Sequence, residues 1–98
     1  GEEQAELPAG GKFTVSQSVL CLHYMFEALG ITEKNCHKTD KAELIARLTN
    51  YSEKHIRNEH YFDFESRKTK EDLRIIYPSM VKLHPRFGKA IKMDLKEL

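Results

Sequence analysis

No stretch of this chain approaches the ~18 consecutive apolar residues of a membrane span, and none has a signal-peptide layout, so neither is expected. With only two cysteines, Cys21 and Cys36, it does not read as a disulfide framework. That scarcity suits a reducing compartment, so a cytoplasmic location is expected. Apolar/polar alternation over strand lengths is absent, as are internal repeats, which argues against β-sandwich and solenoid architectures. Phosphate-cradling glycine loops, a nucleophile elbow and a His-Glu metalloprotease helix are missing too. The five histidines (His23, His37, His55, His60, His84) are scattered, with no nucleophile–base pairing visible. The expectation is a non-enzyme with no small-molecule substrate and no cofactor. Charge of one sign is also lacking: the formal net charge is +1, which on its own predicts no polyanionic partner.

What is present is helical. Ninety-eight residues make one domain, since splitting them would leave neither part an adequate core. Leu, Lys, Glu and Ala are plentiful, while glycine and proline fall mostly at plausible element ends. Residues 1–52 carry five Lys/Arg against seven Asp/Glu, and residues 53–98 carry eleven against eight. A mild basic excess therefore lies in the C-terminal half. Residues 1–12 are acidic and contain Pro8 and Gly10-Gly11, which predicts a flexible linker. The leading Gly1, with no initiator Met, has the look of a tag remnant on a piece of a longer protein. The single helical domain is expected over 13–98.

Thr14-Val15-Ser16-Gln17 is a capping-box sequence. After it Val15, Val19, Leu22, Phe26 and Leu29 recur on one helical face, widened by Leu20, Cys21, Met25 and Ala28. This predicts a central helix, with Cys21 as a core residue. It should stop at a left-handed Gly30, with Ile31 folded back on Phe26. Residues 31–39 read as a polar connection. Asp40 is placed to cap a second helix whose inward stripe is Leu44, Ile45 and Leu48. Asn50 can break it in the left-handed conformation. Ser52 then caps a third helix, 53–61, with Ile56 inward. Phe62 and Phe64 should tuck against the core. A fourth helix is expected from a Thr69 cap, with Glu71 and Asp72 in its first turn. Its inward face is Leu73, Ile76, Tyr77, Met80 and Leu83, and Pro78 should kink or split it. Pro85 starts a last helix with Phe87, Ile91, Leu95 and Leu98 inward, against which Gly88 counts slightly. The fold expected is all-α, a small bundle of about five helices.

Residues 40–61 form a short helix, a three-residue turn and a second short helix. In the helix-turn-helix layout such a second helix, about nine residues long, lies in a DNA major groove. Ala46 suits the close crossing of the two helices, Tyr51 the apolar turn position and Ile56 the branched core position; Thr49 and Glu59 occupy two sites usually apolar. Opposite Ile56, Arg57 and Asn58 are of the types that read guanine and adenine edges. Lys54 and Tyr61 could hold phosphates, as could Arg67, Lys68, Lys70 and Arg74. The competing reading is a helical hairpin with a solvated charged face, and Glu53 and Glu59 would repel phosphate.

A zinc site from Cys21, His23, Cys36 and His37 does not fit. Cys21 and His23 point about 200° apart on a helix, and Cys36-His37 are adjacent rather than spaced. No metal is expected. The last helix either closes the core or pairs with a partner chain, and a domain this small needs its apolar faces inside. A homodimer is the competing arrangement.

The run Phe13-Thr14-Val15-Ser16-Gln17-Ser18-Val19-Leu20, with Glu27-Ala28-Leu29-Gly30-Ile31, resembles RteC-type regulators of conjugative-transposon excision from Bacteroidales. So do Thr39 to Thr49 and Tyr51 to Arg57, and the likeness extends loosely from Phe13 to Leu98. The resemblance is to the C-terminal region of such proteins. It implies an all-helical domain with a helix-turn-helix and a role in transcriptional control of mobilisation genes. Ser52 to Tyr61 would be the DNA-facing helix, with Asn50 where such turns usually have glycine. The expected partner is double-stranded DNA. The alternative is a protein-interaction or dimerisation domain without DNA contact. Clustering of the basic residues on one surface would favour the first, and an exposed apolar stripe on the last helix the second.

Overall fold

The computed structural model describes residues 11–32, 34–58 and 62–97. Among them are five helices and no strand: α1 (Val15–Ala28), α2 (Lys38–Thr49), α3 (Glu53–Asn58), α4 (Arg67–Leu83) and α5 (Pro85–Leu95). Residues 1–10 of the expected linker, and residues 59–61 of the expected third helix, lie outside the described residues, as does Leu98.

Helix α1 organises the molecule because it buries two opposite faces. Leu20, Cys21 and Tyr24 join Leu73, Ile76 and Met80 of α4 and Ile91 and Leu95 of α5 in the larger core. Val19, on the other side, joins Ala42 and Ile45 of α2 and Ile56 of α3, with Val15, Leu22 and Phe26 packed around them. Phe62 packs against both clusters, and Phe64 against the larger one. The ends of α1 follow from its sequence. The Thr14 hydroxyl accepts from the Gln17 N–H, and the Gln17 side chain accepts from the Thr14 N–H. Gly30 at φ +81° lets Ile31 N–H reach the Phe26 carbonyl (2.8 Å), the Schellman closure. Leu29, assigned to the inward face, instead lies past the last turn and is 74% exposed.

Two helix starts differ from expectation. Helix α2 starts at Lys38, with His37 as an extended N-cap, so Asp40 sits within the first turn rather than capping it. Its inward residues are Lys41, Ala42 and Ile45; Leu44 and Leu48 are 48% and 65% exposed. A buried Lys41 is tolerable because its stem packs while its ammonium stays within 6.0 Å of the Phe26 ring. Helix α4 is capped by Ser66, whose hydroxyl accepts from Thr69 N–H (3.2 Å). Glu71 and Asp72 therefore fall in its second turn. Helix α4 also runs unbroken past Pro78. The ring is exposed, and the carbonyl it deprives of a donor, that of Arg74, sits on the same water-facing side. Leu83, read as inward, is exposed at the end of that helix.

His84 then serves two helices: its N–H donates to the Met80 carbonyl, and its Nδ1 accepts from Arg86 N–H (3.1 Å). Gly88 proves necessary to the crossing of α4 and α5, since a Cβ there would stand 2.7 Å from Val81 Cγ2. A buried polar bridge locks α1 to α4: Gln17 Nε2 donates to Asp72 Oδ1 (2.9 Å). Tyr24 Oη donates to Asp94 Oδ2 (2.6 Å) and ties α1 to α5.

Candidate nucleic-acid interface

The α2–α3 hairpin is set by its turn. Asn50, at φ 67°, ends α2 with its N–H on the Ala46 carbonyl (2.9 Å). The Thr49 hydroxyl donates to the Ile45 carbonyl, and Tyr51 Oη donates to the Phe13 carbonyl, pinning the turn to the start of α1. Ser52 accepts from His55 N–H (3.1 Å) and so starts α3. Ile56 is fully buried against α1 and α2, with Ala46 and Tyr51 packed nearby. The three positions expected to carry a helix-turn-helix crossing thus share one cluster. Thr49, in place of an apolar residue, uses its hydroxyl on the helix end.

Burying Ile56 turns the other side of α3 outward. Lys54, His55, Arg57 and Asn58 are all exposed. Lys54 and Asn58 pair with no side chain among the described residues. Arg57 stands 4.0 Å from Glu53, and with both half-exposed such a contact is worth about 0–1 kcal/mol. The His55 ring meets the Tyr51 ring edge-on at 6.4 Å. Tyr61, the remaining expected contact on this helix, lies outside the described residues.

The four cations of α4 are placed differently. Arg67 stands 3.8 Å from Glu71, while Lys68 Nζ lies 3.5 Å from Asp72 and 3.2 Å from Ser16 Oγ on α1. Lys70 approaches Glu65 at 4.0 Å, and Arg74 holds Glu97, beyond the end of α5, at 2.6 Å. Lys96 closes on the same Glu65 at 2.7 Å. Hydrogen bonding and then the charge of Lys96 hold the Glu65 carboxyl below its usual range, and Glu65 raises Lys96 in return. These cations do not form one patch. Lys68 leans on the start of α1, and Lys70 and Arg74 lean towards the 62–66 loop and the end of α5. Arg67, whose side chain is 92% exposed, is the least committed.

Other candidate chemistry is sparse. Among the described residues no three His, Cys, Asp or Glu side chains come together as metal ligands. Cys21 and Cys36 are free, and burial pushes the Cys21 thiol up to about 12. Among the described residues no helix is long and apolar enough to cross a membrane. A hollow of about 320 Å³ between the C-terminal half of α1 and α5 was not foreseen from the sequence. Its only advance signal was Met93, off the inward face of the last helix. No family model, curated protein or solved structure matches the chain. The functional reading therefore rests on the residues themselves.

Proposed function

We propose that this domain is a DNA-binding regulatory module, a binding protein and not an enzyme, that presents α3 to the major groove. One observation carries the reading: α3 is anchored by Ile56 alone, and its outward face offers Lys54, Arg57 and Asn58 to solvent. In this reading Arg57 and Asn58 meet base edges and Lys54 a phosphate. Arg67 is the best of the α4 cations for a flanking phosphate, because its side chain is 92% exposed and its carboxylate partner, Glu71 at 3.8 Å, lies on its own helix. No cofactor is needed. Two free cysteines suit action in the cytoplasm. With the resemblance to RteC-type regulators, the target is DNA that controls mobilisation genes.

Fluorescence anisotropy with a labelled mixed-sequence duplex, at low and physiological salt, tests this. Binding should weaken steeply with salt, because neutralised phosphates release counterions. Lys54→Ala should lower the salt slope by about 1, and Arg57→Ala should cost about 1–3 kcal/mol on a preferred site. No binding at low salt would leave the second reading, an interaction domain without DNA contact. That reading draws support from the pairing of the α4 cations and from Leu44 and Leu48, exposed one turn apart on α2.

A further inference from the structure

We infer that the groove between the C-terminal half of α1 and α5 is a two-fold contact between two copies of this chain. Two adjoining hollows, about 320 and 400 Å³, share Ala28, Arg86 and Phe87. Apolar side chains, among them Met25, Ala90 and Phe87, line most of them. Beside these hollows stand two large apolar side chains with nothing over them, Leu29 at 74% and Met93 at 55% exposure. The same face therefore carries both a hollow and the kind of side chain that fills one.

Charge selects the occupant. The α1 wall carries Glu27, with the His23 ring nitrogen 3.8 Å away on its own helix. The α5 wall carries Arg86 and Lys89, whose side chains pair with no carboxylate among the described residues. A two-fold rotation lays the α1 wall of one copy over the α5 wall of the other. Glu27 then meets Arg86 and Lys89, and Leu29 or Met93 enters the opposing hollow. A foreign acidic helix would meet Glu27 as a like charge, and a basic one would meet both cations. A second copy satisfies both walls at once.

This contact leaves α3 uncovered. The α1 residues lining the groove, Tyr24, Glu27 and Ala28, lie on a different side of the helix from Val15, Val19 and Leu22, which face α2 and α3. The dimer stands whether or not α3 meets DNA.

Sedimentation equilibrium of the domain over about a hundredfold range of concentration decides the matter. The expected result is a reversible monomer–dimer equilibrium. Met93→Glu and Glu27→Arg, both at exposed positions and checked for intact helical circular dichroism, should each raise the dissociation constant about tenfold or more. Mixing Glu27→Arg with Arg86→Glu/Lys89→Glu chains should restore association through the swapped pair, while Leu48→Glu leaves it unchanged. A monomer at every concentration overturns the inference. A dimer that survives Met93→Glu, or one lost with Leu48→Glu, overturns it equally, because the contact then lies elsewhere.

Discussion

Helix α3 and the first half of α4 carry similar residues and use them in opposite ways. On α3 the neighbours of Lys54 and Asn58 are solvent, and the one acid beside Arg57 is 4.0 Å away. On α4 each of Arg67, Lys68, Lys70 and Arg74 has a carboxylate within 4.0 Å, two of them from outside the helix. Three of the α4 cations reach other parts of the fold: Lys68 the start of α1, Lys70 the 62–66 loop, Arg74 the residue Glu97 beyond α5. A count of basic residues would treat the two regions alike. What separates them is that acids from outside the helix reach two of the α4 cations, while Arg57 meets Glu53 of its own helix and Lys54 meets no acid among the described residues; a cation already paired gains less from a phosphate.

The sharpest way to break the comparison is to remove the anchor of α3. Ile56→Ala should cost about 2–5 kcal/mol in urea unfolding, because the small α1/α2/α3 cluster has few other fully buried side chains to close the cavity. Any DNA affinity should fall with it. On the α4–α5 side, Gly88→Ala should cost about 1–3 kcal/mol, as the new methyl drives Val81 aside. DNA affinity should then persist while the domain stays folded. Equal loss of binding in both variants at matched folded fraction would mean that α3 is not the binding element.

At the next scale, Arg57→Ala should weaken binding to a preferred site by about 1–3 kcal/mol and leave stability almost unchanged. Arg74→Ala should do the reverse. Its exposed pair with Glu97 is worth about 0–1 kcal/mol of stability, and duplex affinity should barely move.

These contrasts also mark what the sequence could reveal. The cap and stop of α1 were legible because each is a local pattern, Thr14 with Gln17 and Gly30, and so was its 3–4 spacing up to Phe26, though not at Leu29. Asn50, Ser52 and Ile56 were legible for the same reason. The start of α2 was misplaced because Asp40 suits a first-turn position as well as a cap, and nothing local marks His37. Leu44 and Leu48 misled because they lie about 100° and 60° round the helix from Ile45 and farther still from Ala42, and a buried lysine stem does not announce itself. The pairs Arg67–Glu71 and Lys68–Asp72 lie four apart and could be read off α4. Glu65 could not, since it meets Lys70 across the start of α4, where no helical spacing marks the pair, and neither could Glu97, which reaches Arg74 only once α5 has folded back. For the same reason Gly88 looked like a flaw and is a packing requirement.

The smallest expected effect concerns the Glu65–Lys96 pair. Glu65 is held below its usual carboxylate range, so its contribution is present above that range and is lost as pH falls through the lowered value. Lys96 is raised, so its contribution is present below the usual lysine range and is lost as pH rises through the raised value. The pair is therefore intact across neutral pH. In a carboxyl NMR titration Glu65 should protonate below the ordinary glutamate range, and Lys96→Met should bring it back towards that range.

The central claim is that α3, not α4, meets the duplex. Amide chemical-shift mapping as a mixed-sequence duplex is added at low salt tests it most directly. The account predicts the largest shifts at Lys54, His55, Arg57 and Asn58, with Lys70 and Arg74 nearly still. Shifts centred on residues 67–74, or none anywhere, would contradict it.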